Sequence, residues 1–203
     1  MTCKLDGEFV KQYKYLTKSM RHVCLNFAYS SATLLLSKAM FDSFVVSSDD
    51  TRSSLTPEVA VTCMMIASKL YENEPMSAKT CCDLLSLPEN NTRLFNEREW
   101  SILVRFDFKI FIETPATKWK LWFSPDDPFD KDIVLKAEQI LRMCSSSILF
   151  SCFEVETVCR LMYLAISGND TKTNLTQTEQ FLLQKMRAFN EQTLTSQHLY
   201  SSW

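Results

Sequence analysis

Apolar residues recur every three or four positions along most of this chain, the spacing of helices that each bury one face. From about Glu8 to Phe27 the apolar stripe is Phe9, Tyr13, Leu16, Met20, Val23, Cys24 and Phe27, which predicts a first helix with a core-facing side. Tyr29, Ser30 and Ser31 interrupt it, and a second helix from about Ala32 to Val46 is apolar over most of its circumference, through Leu34, Leu35, Leu36, Met40, Phe41 and Phe44. A polar loop from Ser47 to Ser54 separates it from a third. There Thr56-Pro57-Glu58 supplies an N-cap, a proline at the first helical position and an acid in the first turn.

The third helix, Pro57 to about Tyr71, is apolar nearly all round, so it belongs at the centre of a bundle. Ser77–Leu87 predicts a short fourth helix, ended by Pro88, and Leu94–Phe106 a fifth. Asp107 to Phe111 alternates as a short extended piece would. A sixth helix, Pro115–Phe123, carries Trp119 and Trp122, which read as packing residues of a connector. Ser124-Pro125-Asp126-Asp127-Pro128 breaks any helix and is the expected domain boundary. It divides residues 1–123 from 124–203. Helices are then expected over about Asp130–Phe150, Glu154–Ile166 and Gln177–Leu194, with a frayed tail.

Composition narrows the function. With 203 residues the chain can hold two helical bundles, and only two glycines and six prolines interrupt it. The net formal charge of −2 and the lack of a long basic block speak against direct nucleic-acid binding. The N-terminus lacks a signal-peptide core and no run is long enough for a membrane span, so a cytosolic or nuclear protein is expected. The eight cysteines show no metal-knuckle spacing and read as free thiols, which makes the three Asn-x-Thr sequons irrelevant.

Catalysis has little to work with. No Gly-rich phosphate loop, nucleophile elbow or paired His and Glu is present, and His22 and His198 are the only histidines. The acid pairs Asp49-Asp50 and Asp126-Asp127 have no converging ligands and read as solvated charge. The expectation is therefore no enzyme, no cofactor and no metal.

Two local sequences point further. Val61-Thr62-Cys63-Met64-Met65-Ile66-Ala67-Ser68-Lys69-Leu70-Tyr71-Glu72-Asn73-Glu74-Pro75 resembles the third helix of a cyclin, whose ending reads Ile-Ala-Ser-Lys-aromatic-Glu-Glu before a proline; Leu70-Tyr71-Glu72 departs slightly. Arg98-Glu99-Trp100-Ser101-Ile102-Leu103-Val104-Arg105-Phe106-Asp107-Phe108-Lys109-Ile110 resembles the fifth helix and its exit, and Thr114-Pro115 falls where cyclins have Pro-Thr-Pro. The chain is thus identified as a divergent member of the cyclin family. The resemblance implies an all-α fold, a five-helix cyclin box followed by a second, shortened bundle. It also implies a regulatory subunit that binds and activates or localises a cyclin-dependent protein kinase in the nucleus, in cell-cycle or meiotic control; the cyclin-like proteins of meiotic crossover formation are one group it resembles. A protein-recruitment scaffold without a kinase is the other reading of the same fold.

The resemblance also implies residue roles. Lys69 and Glu99 map onto the lysine and glutamate with which cyclins grip the regulatory helix of their kinase, with Leu70, Glu72 and Leu103 beside them. Asp42 in Met40-Phe41-Asp42-Ser43-Phe44 resembles the second-helix aspartate that pairs with a first-helix arginine, for which Arg21 in Met20-Arg21-His22 is the candidate. The gap from Arg21 to Asp42 is about eight residues shorter than in cell-cycle cyclins, so the first helix is read as truncated or the match as chance. Met20, Cys24 and Phe27 are accordingly read as core residues and not as a substrate-docking patch.

Overall fold

The computed structural model describes residues 7–48, 54–122, 128–145, 153–168 and 175–200. Among these residues the chain is all α, with no strand. Two compact units divide between Ile112 and Glu113.

The first unit contains α1 (Gly7–Asn26), α2 (Ser31–Val46), α3 (Pro57–Tyr71), α4 (Ala78–Leu84), a 3-10 turn (Glu89–Asn91) and α5 (Thr92–Arg105). Each start has a local cause. The Ser30, Thr56 and Ser77 hydroxyls accept hydrogen bonds from the amides of Thr33, Val59 and Thr80, so α2, α3 and α4 are all capped by side chains that satisfy otherwise orphaned donors. Val59 to Ser68 are all buried, and α3 packs against α1, α2, α4 and α5, most extensively against α2. A helix apolar on every side must be surrounded, and α3 is the hub of this bundle.

On α1 the expected stripe is confirmed at Tyr13, Leu16, Met20 and Cys24, all buried. Phe27 is corrected: it lies beyond the last helical residue, exposed, and stacks on the buried Tyr29 ring at 5.4 Å. The extended piece expected after α5 is also corrected. Residues 106–108 form a turn in which Asp107 and Phe108 both take left-handed backbone angles (φ 50° and 56°), and the Phe108 amide donates back to the Leu103 carbonyl at 2.9 Å.

The second unit contains α6 (Pro115–Trp122), α7 (Pro128–Cys144), α8 (Val155–Ser167) and α9 (Gln177–Tyr200). Its core draws on Trp119, Ala137, Ile140, Leu141, Leu161, Met162, Leu182 and Met186. The sequence boundary is shifted here. Helix α6 was expected to close the first domain, but it packs on α7 and α8, burying Ala116 and Trp119, and the Cys159 thiol lies 3.7 Å from the Pro115 carbonyl. Its apolar face decides its membership, whereas residues 124–127 of the boundary segment Ser124-Pro125-Asp126-Asp127-Pro128 lie outside the described residues and Pro128 already begins α7. Thr176 and Glu179 form a reciprocal capping box at the start of α9, which continues as helix past Leu194 to Tyr200.

Candidate functional site

Lys69 stands in the last turn of α3 and Glu99 midway along α5, thirty residues on, and the packing of these two helices brings them together. Lys69 Nζ lies 2.6 Å from Glu99 Oε1 and 2.8 Å from Oε2, so one ammonium spans both carboxylate oxygens. The lysine side chain is 45 % exposed and the glutamate 17 %. Such a part-exposed pair adds only about 0.5–1 kcal/mol to stability, too little to be a main support of the fold. The Cys81 thiol beneath is pushed up to about 12, chiefly by burial, with Lys69 and Glu99 acting on it in opposite directions. It is an inert filler, not a nucleophile.

Apolar side chains neighbour this pair along both helices. Leu70 follows Lys69 and is exposed, and Leu103, one turn beyond Glu99, is half-buried. Trp100 is 63 % exposed and meets Phe108 edge-on at 5.5 Å, with Val104 exposed between them along the helix. A bulky residue held at positive φ is uncommon and strained. Here the positive φ coincides with the edge contact of Phe108 on Trp100. Sequence reading overlooked Trp100, Val104 and Phe108 as site residues. Their signal was present: positions 100, 104 and 108 form one row that the core does not use.

The family model of the cyclin N-terminal domain matches residues 8–111, just over half of the chain. The chain belongs to the cyclin family. No curated protein matches it. The matched span coincides with the first unit, whose five helices and α3 hub are those of a cyclin box. Cyclins are regulatory proteins and not enzymes, so the coarse function of this cyclin is regulatory.

Two of the expected roles change in this cyclin box. Glu72 does not join the exposed face with Lys69. Its Oε1 accepts from the Ser30 amide at 2.8 Å and the Ser30 hydroxyl at 2.9 Å, and also from the Thr33 hydroxyl, which fastens the end of α3 to the start of α2. The segment after it is pinned as well: Tyr29 donates to the Glu74 carbonyl at 3.2 Å, and the Met76 amide donates to Ser68 Oγ at 2.9 Å. Burial, then the charge of Glu72, raises the Tyr29 pKa, which keeps that hydroxyl a donor. The acid of the cyclin ending is thus a structural latch.

Asp42, expected to meet Arg21, is held by two other side chains. Asp42 Oδ2 accepts from Lys38 Nζ at 2.7 Å, one turn back on α2, and Oδ1 accepts from the Tyr13 hydroxyl at 2.8 Å. Lys38 also donates to the Tyr13 oxygen at 2.8 Å, which closes a three-membered network. Tyr13 lies eight residues before Arg21 on α1, so a first-helix tyrosine reaches Asp42 beside a lysine from α2.

Among the described residues no group of three His, Cys, Asp or Glu could hold a metal ion, and no helix is long and apolar enough to cross a membrane. Asp49-Asp50 and Asp126-Asp127 lie outside the described residues.

Proposed function

We propose that this cyclin is the regulatory subunit of a cyclin-dependent protein kinase, docking on it through the face built by Lys69, Glu99, Leu70, Leu103, Trp100 and Phe108. The reading rests most on the bidentate Lys69–Glu99 pair, with the exposed Leu70 next to Lys69 and the exposed Trp100 next to Glu99. Polar atoms on two adjacent helices, one at the end of α3 and one midway along α5, can orient a docked helix through its unsatisfied backbone groups, while the flanking apolar residues bury its side. Trp100 and Phe108 have the character of interface anchors. Docking would hold the kinase's regulatory helix inward, so that its glutamate pairs with the lysine that binds the ATP phosphates. Action in the nucleus, in cell-cycle or meiotic control, is part of the same proposal and is checked by imaging a tagged chain.

Affinity purification followed by mass spectrometry tests it. A cyclin-dependent kinase should co-purify with the wild-type chain, and Lys69→Ala/Glu99→Ala should abolish its recovery while the helical circular dichroism is kept. A partner retained by that variant, with no kinase in the wild-type eluate, would replace the proposal with a recruitment scaffold.

A further inference from the structure

The ends of α2 and α5 meet at one arginine. Arg105, in the last turn of α5, holds its guanidinium over the Phe44 ring at 4.9 Å. From there Nη2 donates to the Ser47 carbonyl and Nη1 donates to Ser48 Oγ at 3.2 Å. Ser48 Oγ in turn donates to the Phe44 carbonyl at 2.8 Å and accepts from Ser54 Oγ at 2.5 Å. Arg105 is exposed and forms no ion pair among the described residues, so a full cation, oriented by a ring and a carbonyl, faces only neutral oxygens. The guanidinium fork matches a carboxylate or a phosphate, and that is the partner it lacks.

Ser48 is half-buried beside the exposed Ser47, and Asp49 and Asp50 follow it directly in the sequence. Two acids next to a serine suit an enzyme whose substrate cleft is basic. Arg105 lies six residues past Glu99, about 9 Å along α5 and about 120° around it, so this cluster is separate from the docking face and does not depend on the kinase reading.

We propose that Ser48 is a phosphorylation site, modified by a serine kinase that selects acids after its target, and that Arg105 is the receptor of the phosphate. Ser48 Oγ bonds to the γ-phosphorus of ATP as the bridge to the β-phosphate breaks; ADP leaves with the bridging oxygen, and the hydroxyl proton passes to the modifying kinase's catalytic carboxylate. The Phe44 carbonyl loses the Ser48 donor but keeps Ser47 Oγ at 3.3 Å. The phosphate adds nearly two negative charges and three acceptor oxygens where Arg105 already directs both terminal nitrogens, which ties α2 to α5 by charge-assisted bonds. Without the arginine the same charge is unfavourable, because it stands just past the C-terminus of α2, the negative end of that helix. Arg105 therefore decides the sign of the effect.

The full chain with phosphoserine genetically encoded in place of Ser48 tests the receptor. Its melting temperature, followed by circular dichroism, should lie about 4–8 °C above that of the unmodified chain. In Arg105→Met, which keeps an apolar stem over Phe44, the phosphate should lower the melting temperature; Arg105→Lys, which keeps the charge without the fork, should retain part of the gain. Phosphorus NMR should place the phosphate titration below its ordinary value of about 6, and Arg105→Met should restore that value. The folded chain incubated with an acid-directed serine kinase and ATP tests the site itself: peptide mapping should find phosphate on Ser48, formed roughly tenfold more slowly in Asp49→Asn/Asp50→Asn. Phosphate on Ser47, Ser53 or Ser54 in place of Ser48, an equal melting shift in Arg105→Met, or a titration that Arg105→Met does not move overturns the proposal. So does a phosphopeptide map of the chain recovered from its own cells that lacks phosphate on Ser48. Recovery of a cyclin-dependent kinase through Lys69 and Glu99 should be the same with and without the phosphate, which separates failure here from failure of the kinase reading.

Discussion

Replacing Glu72 separates a latch from a docking residue. Glu72→Ala removes an acceptor used by the Ser30 amide, the Ser30 hydroxyl and the Thr33 hydroxyl, and Thr33 is fully buried. A hydrogen bond to a charged acceptor contributes about 1.5–3 kcal/mol. The three donors share one oxygen and Ser30 also caps α2 through its own side chain, so the contributions do not add; the expected cost is about 2–4 kcal/mol. For a unit of this size each kcal/mol lowers Tm by about 4–8 °C, so the first unit should melt about 10–25 °C earlier. Glu72→Gln, which keeps an acceptor oxygen without the charge, should recover about half of the loss. Urea and thermal unfolding followed by circular dichroism give these values, and kinase recovery at low temperature gives the second readout. If Glu72→Ala leaves stability unchanged but abolishes kinase recovery, the latch is wrong and Glu72 belongs to the docking face, as its sequence motif implied.

Two further outcomes follow from the buried groups. Lys38, whose side chain is 4 % exposed, neutralises Asp42, so Lys38→Met should destabilise the first unit by about 3 kcal/mol in urea titration, more than Arg21→Met does. A Lys38→Met/Asp42→Leu double variant that is no more stable than Lys38→Met would refute the pairing. The thiols of Cys81 and Cys159 are pushed up to about 12 by burial, and that of Cys63 higher still. These three should resist iodoacetamide at pH 8 in the native protein and react once it is unfolded, as peptide mass mapping would show; rapid native labelling of Cys81 would contradict the packing beneath Lys69.

Much of this cyclin was legible in its sequence because helix signals are local. The Thr56-Pro57-Glu58 start, the apolar run to Tyr71 and the paired motifs around Lys69 and Glu99 fix α3 and α5 without reference to anything distant, and both helices lie within a residue or two of where the pattern puts them. The Lys69–Glu99 pairing was reachable only through the resemblance, since neither residue alone differs from any surface charge. Tertiary structure decided the rest. Whether Glu72 faces outward or latches α2 depends on where Ser30 lies in space, forty-two residues away. Which residue meets Asp42 depends on the rotation of α1 against α2, and a periodic pattern fixes the buried side of a helix but not its register against a neighbour. Membership of α6 was set by what covers Trp119, not by the prolines that follow it. The meeting of Arg105 with Ser48 belongs to no single element, because the ends of α2 and α5 have to be brought together before the guanidinium can reach that hydroxyl.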